Sequence, residues 1–170
     1  MSHKDFYELF LIELRDIYDG EKQMTKALPA MINAAHSKDL KDALRSHLEE
    51  TKNQVKRLDA IASELNVSLS GETCKAMQGL VKEAQDAMKT NFQSVVKDAA
   101  IISYAQRVEH YEISVYGTLK TFAKHLDLPY VKQLLEDTLK EEAHADKKLT
   151  EIAEGSLFSS GLNTKAKKAA

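Results

Sequence analysis

One cysteine, Cys74, is all the chain contains, which excludes an internal disulfide and fits a reducing compartment. Its side chain is read as a part-buried small residue, not a reactive thiol. Two prolines and six glycines are spread over 170 residues, and tryptophan is absent. So few breakers leave the backbone free to run in long helices. No stretch of about 18 apolar residues occurs, so no transmembrane helix is expected. No basic start leads into an apolar run, so no secretory signal is expected and the cytoplasm is the expected location. Neither charge sign dominates: Lys and Arg number 24, Asp and Glu 26. A net charge of -2 provides no general field for nucleic acid or a membrane surface. Also missing are a glycine-rich phosphate loop, a Ser–His–Asp arrangement, Cys/His zinc spacing and aromatics beside a basic groove.

What remains is rich in Ala, Leu, Glu and Lys, and its length suits one domain with a real core. The expected class is all-α, as a single helical bundle domain over residues 1–157 and a flexible C-terminal tail over 158–170. The tail carries Lys165, Lys167 and Lys168 after Ser159-Ser160-Gly161. Apolar residues at spacings of three and four mark four long helices. The first runs from about Ser2 to Ala35, with Pro29 inside it, where a kink is expected. The second runs from about Lys38 to Leu65, the third from Val95 to Leu126. The fourth opens at Leu128-Pro129 and fades at Gly155. Between the second and third lies a turn-prone stretch, Asn66 to Gly71, then a shorter amphipathic helix near Cys74 to Met88. A connection of about 30 residues spans the roughly 40 Å of a long helix. It would let the second and third helices run parallel, the one-crossover arrangement of ferritin-like bundles. An up-down-up-down bundle with a decorated loop is the alternative.

A faint internal repeat supports two helical hairpins. The segment from Glu21 to Ala62 aligns without gaps on that from Glu112 to Ala153. Leu28 meets Leu119, Leu44 meets Leu135, Leu58 meets Leu149, and Glu50 meets Glu141. Repeated leucines are ordinary bundle chemistry. Glutamates at core-facing height are not, because a buried carboxylate needs a cation, a proton or a partner. At about 100° per residue, Glu21 falls close to the centre of its apolar stripe and Glu112 almost at the centre of its own. Glu109 lies on a flank, His47 within about 40° of the centre, and Glu50 at the edge. On the fourth helix Glu142 is nearly central, Asp146 follows one turn later, and Glu141 is at the edge. In antiparallel hairpins these heights coincide, so four to six carboxylates and a histidine are expected to converge at mid-height.

Unpaired, such a cluster repels itself in a low dielectric, and two divalent cations would largely neutralise it. An oxygen-rich donor set with one or two nitrogens suits iron or manganese. The expected metal ligands are Glu21, His47, Glu50, Glu109, Glu112, Glu142 and Asp146. The ferritin-type Glu-x-x-His pattern appears at Glu141-x-x-His144, but His144 points near 180° from the core stripe and is discounted. A satisfied core histidine is the alternative for His47, and a core role for Tyr116.

Several stretches carry a resemblance: Glu21-Lys22-Gln23, Ala27-Leu28-Pro29, His47-Leu48-Glu49-Glu50-Thr51, Val108-Glu109-His110-Tyr111-Glu112-Ile113 and Glu141-Glu142. Over about residues 5–155 the chain resembles the YciE/YciF-like bacterial stress proteins of the ferritin-like superfamily. That resemblance implies a rubrerythrin-like four-helix bundle, a homodimer and a di-metal centre. Glu109-x-x-Glu112 is similar to the paired glutamates that rubrerythrins carry on the corresponding helix. The Cys-rich electron-transfer domain of rubrerythrins and a second inward histidine are lacking. The expected business is oxidative or general stress defence, with peroxide or oxygen reduced at two iron or manganese ions. The alternatives are metal storage without turnover and a structural stress protein. The crossover helix and its methionines are the expected place for a dimer contact.

Overall fold

A computed structural model describes residues 3–156 and 159–169. It is an all-helical four-helix bundle of the ferritin-like kind. The long helices are α1 (His3–Ala34), α2 (Lys38–Leu65), α4 (Ser94–His125) and α5 (Pro129–Glu154), with α3 (Lys75–Lys89) in the crossover. Each long helix follows its apolar stripe closely, and α1 continues past Pro29 to Ala34. α2 stops where Asn66 turns into the left-handed region (φ 52°); the Asn66 N–H donates to the Ser63 carbonyl and the Val67 N–H to that of Ala62. α5 starts on Pro129, whose missing N–H costs nothing in a first turn.

Side-chain pairings fix the directions. Phe6 packs on Phe122 while the backbone at His36 reaches Asp98, so α1 and α4 are antiparallel. Tyr18 on α1 donates to Asp59 near the end of α2, so that pair is antiparallel too. α2 and α4 therefore run the same way, which only the long crossover allows. The up-down-up-down alternative is thereby excluded. Buried Asp98 accepts from the N–H groups of His36 and Ser37, each at 2.7 Å, and so holds the first hairpin's tight link.

The apolar core divides in two. One cluster is built from residues such as Met24, Leu28, Leu44, Val108 and Leu149. The other contains Ile17, Leu58, Tyr116, Leu119 and Leu135. On all four helices a polar layer falls between them.

Of the crossover methionines, Met77 is fully buried and Met88 packs on the first cluster. One expectation needs correcting. The stretch expected as a flexible tail contains structure. Gly155–Ser156 (β1) pairs antiparallel with Ser159–Ser160 (β2), and α6 (Leu162–Ala169) follows. Leu162 inserts into the core cluster, and burial of such a side chain is worth roughly 2 kcal/mol. The chain returns so close to the end of α5 that a Cβ at Gly161 would lie 2.3 Å from the Ala153 carbonyl oxygen. Residues 157, 158 and 170 of that stretch lie outside the described residues.

Candidate metal centre

The polar layer is assembled from four helices by helical phase alone. Glu21 replaces an apolar residue between Ile17 and Met24 on α1. Glu109 and Glu112, three apart, share one face of α4. His47 comes from α2 and Glu142 from α5. Glu21, His47, Glu109, Glu112 and Glu142 are all buried, Glu21 and Glu142 completely. One ligand atom from each of His47, Glu109, Glu112 and Glu142 lies within 4.8 Å of the others. The His47 imidazole sits among acids: Nε2 is 3.3 Å from Glu109 and 3.9 Å from Glu142, and Nδ1 is 3.6 Å from Glu50.

Protein partners satisfy only part of this layer. Tyr116 donates to Glu21 Oε1 at 2.5 Å, and Gln54 donates to Glu142 Oε1. Both ring nitrogens of His47 and one carboxylate oxygen on each of Glu21, Glu109, Glu112 and Glu142 have no hydrogen-bond partner. Native interiors leave few such atoms, since each costs about 1–3 kcal/mol or more. Here they cluster in one place and are all electron-pair donors when the acids are ionised and the histidine neutral. That donor chemistry fits a divalent cation, and its oxygen-rich character with one nitrogen fits iron or manganese better than a thiolate-preferring metal.

Titration behaviour describes the same crowding. Burial, then the charge of Glu142, lifts Glu21 to about 8. Burial also raises Glu109, Glu112 and Glu142, with neighbouring carboxylates adding to it. For His47 burial works downward, but Glu109, Glu50, Glu142 and Glu21 outweigh it and lift the imidazole to about 10. Without a cation, protons must therefore hold the layer together.

The sequence-derived ligands divide into three groups. His47, Glu109, Glu112 and Glu142 converge, with Glu21 buried in the same layer and coupled to Glu142. Glu50 stands at the rim beside His47, half-buried. Asp146 does not join: its Oδ1 accepts from Gln106 at 3.0 Å and lies 3.4 Å from His110. Four residues past Glu142 the side chain has rotated toward α4, and Gln106 takes it. Glu141 also stays outside, clasped by Arg57 through two contacts of 2.5 and 2.6 Å. His144 is exposed.

Sequence reading missed the supports. Gln54 links Glu141 and Glu142, and Arg57 reaches Glu141 and Thr138. Gln54's position among inward leucines was the available signal. Tyr111 is a further support. Its hydroxyl donates to Asp16 at 2.7 Å and touches Cys74 Sγ at 3.1 Å, joining α1, α3 and α4. Cys74 itself is fully buried, and its sulfur caps α3 by accepting from the Met77 N–H.

Residues 5–165 match the family described as domain of unknown function DUF892. The chain is 42% identical over 154 residues to protein YciF of Escherichia coli (strain K12), covering 90% of this chain and 93% of that one. The crystal structure of the E. coli stress protein YciF superposes with a TM-score of 0.83 at 41% identity, over 86% of this chain and 92% of the other. YcfI of Rhodopseudomonas palustris, described as a structural protein, matches with a TM-score of 0.84 at 44% identity. There 90% of this chain and 99% of the other are covered.

Proposed function

The chain belongs to the DUF892 family, with YciF among its relatives, and on that premise we propose that it is a metal-dependent stress protein. One observation carries this: the unpartnered donor atoms of His47, Glu21, Glu109, Glu112 and Glu142, gathered in one buried layer. His47, Glu109, Glu112 and Glu142 would hold the metal, with Glu21 and Glu50 completing the set for a second ion. Two iron or manganese ions would supply the redox chemistry that peroxide or oxygen reduction requires.

The residues themselves do the rest. Tyr116 and Gln54 orient Glu21 and Glu142 by donating to one oxygen of each, which leaves the other oxygen free. Arg57 holds Glu141 away from the layer, beside Glu142, which helical phase turns inward. The apolar clusters above and below exclude water and sharpen every charge interaction between them. The stress-defence assignment follows the description of E. coli YciF as a stress protein. Action in the cytoplasm fits the single thiol, and among the described residues no helix is long and apolar enough to cross a membrane.

Metal analysis of protein purified from iron- and manganese-replete cells tests the reading. We expect close to two ions per chain, with anomalous scattering at the His47 layer. Absence of transition metal would overturn it. A second reading has its own support: His47, lifted to about 10, can serve as an internal cation, and the R. palustris relative is described as structural. Metal content separates the two, and peroxide added to metal-loaded protein then separates turnover from storage, since a storage protein leaves it unconsumed after stoichiometric oxidation.

A further inference from the structure

The polar layer is sealed on one side and open on the other. Toward the C-terminal end of α2, the α2–α5 seam is filled by Thr51, Gln54, Thr138 and the Arg57–Glu141 pair; Thr51, Gln54 and Thr138 are buried, and the ion pair is about a quarter exposed. Toward the N-terminal end of α2 the seam carries Ala43, Ser46 and Ala145, too small to close the gap. A cleft of about 450 Å³ results. Its lining includes buried His47 and Glu109, which form its floor, half-buried Glu50, and the exposed residues His144, Asp39, Asp42 and Glu151 beside Lys148.

Acidic residues around a groove are no site by themselves. Here the floor adds an independent observation: His47 is 5% exposed and Glu109 2%. Both nitrogens of the first and Oε2 of the second lack partners. Buried polar atoms without partners thus stand where the cleft meets the interior.

We propose that this cleft is the path by which a hydrated divalent cation reaches the centre, from this side only, with Asp39 and Glu151 attracting it and Glu50 handing it to His47 and Glu109. The proposal rests on the metal-centre reading above. Asp42 contributes less, because Lys38 at 2.8 Å and Arg45 at 2.9 Å already neutralise it. Asp39 has no ion-pair partner among the described residues, and Glu151 has only Lys148 at 3.9 Å. Their fields therefore remain available to an approaching cation.

The test is stopped-flow uptake of Co²⁺ by metal-free protein, followed by the cobalt absorption bands. The double variant Asp39→Asn/Glu151→Gln should load roughly tenfold more slowly at low ionic strength, with the gap closing in high salt. Its final cobalt content should equal that of the parent. Lys148→Glu should load faster, and Ala43→Phe slower at every salt concentration. Normal cobalt binding with unchanged rates in all three variants would overturn the path and leave the metal centre standing. No cobalt binding by the parent chain would overturn both.

Discussion

The α1–α2 and α4–α5 hairpins pack alike and ligate differently. Leu28 and Leu119 are both fully buried, and Leu44 and Leu135 nearly so. Glu21 and Glu112 are buried counterparts as well. Past these, the polar positions diverge. Glu109 of the second hairpin corresponds to Tyr18 of the first, whose hydroxyl turns to Asp59. Glu142 corresponds to Thr51, which returns its hydroxyl to the His47 carbonyl. His47 corresponds to Thr138. Three glutamates of the converging group thus come from the second hairpin and the lone imidazole from the first. Packing must be satisfied in both hairpins, so it stays paired. A single central donor set has to be complete only once, so its members are free to distribute unevenly.

Matched truncations of the paired leucines should have the largest effect. Leu28→Ala and Leu119→Ala should each cost about 2–5 kcal/mol, within about 1 kcal/mol of one another. Urea unfolding measures both, and a strongly unequal cost would break the packing symmetry. The pH dependence of metal-free protein comes next. Glu21 is raised to about 8 and His47 to about 10, so the folded state binds more protons than the unfolded one. The stability these groups contribute is full below about pH 4.5 for the acid and about pH 6.5 for the imidazole. It is lost as pH climbs toward 8 and 10 respectively. Each pH unit over which one extra proton stays bound is worth about 1.4 kcal/mol. Thermal midpoints with a chelator present should therefore fall from pH 5 to pH 8, and metal should flatten the slope. A midpoint that rises over that range would contradict the protonated layer.

The two counterpart glutamates sharpen the comparison further. Glu112→Gln and Glu21→Gln should both lower bound metal, measured by elemental analysis. In the metal-free protein Glu112→Gln should be the more favourable by about 1 kcal/mol, because Glu21→Gln also disturbs the hydrogen bond that Tyr116 donates to Glu21. The smallest effect belongs to the seam. Arg57→Ala should cost about 1 kcal/mol or less in stability, since the pair is partly exposed. It should also raise the accessibility of the layer on its sealed side, read as faster Co²⁺ uptake.

Helical phase carried much of this in the sequence itself. It placed Glu142 inward against the literal register of the repeat, and it set His144 outside. It misjudged Asp146, because angle from a stripe says nothing about which neighbour competes for the side chain, and Gln106 does. The same limit hid Arg57 and Gln54, whose roles exist only once α2 lies against α5. The chain end was obscure for a related reason. Ser and Lys near residues 159–168 read as solvent-loving, whereas one leucine, Leu162, finds a core position that its local sequence does not announce.

By itself the sequence determined four amphipathic helices, their hairpin pairing and the presence of carboxylates on buried faces, because spacing along a helix sets which residues share a side. The length of the second link already pointed to a crossover; only the tertiary structure decided which of the acids meet His47, and that the layer opens at one end of the α2–α5 seam. Those outcomes depend on distances between helices far apart in the chain, where a small residue leaves a gap and a long one closes it.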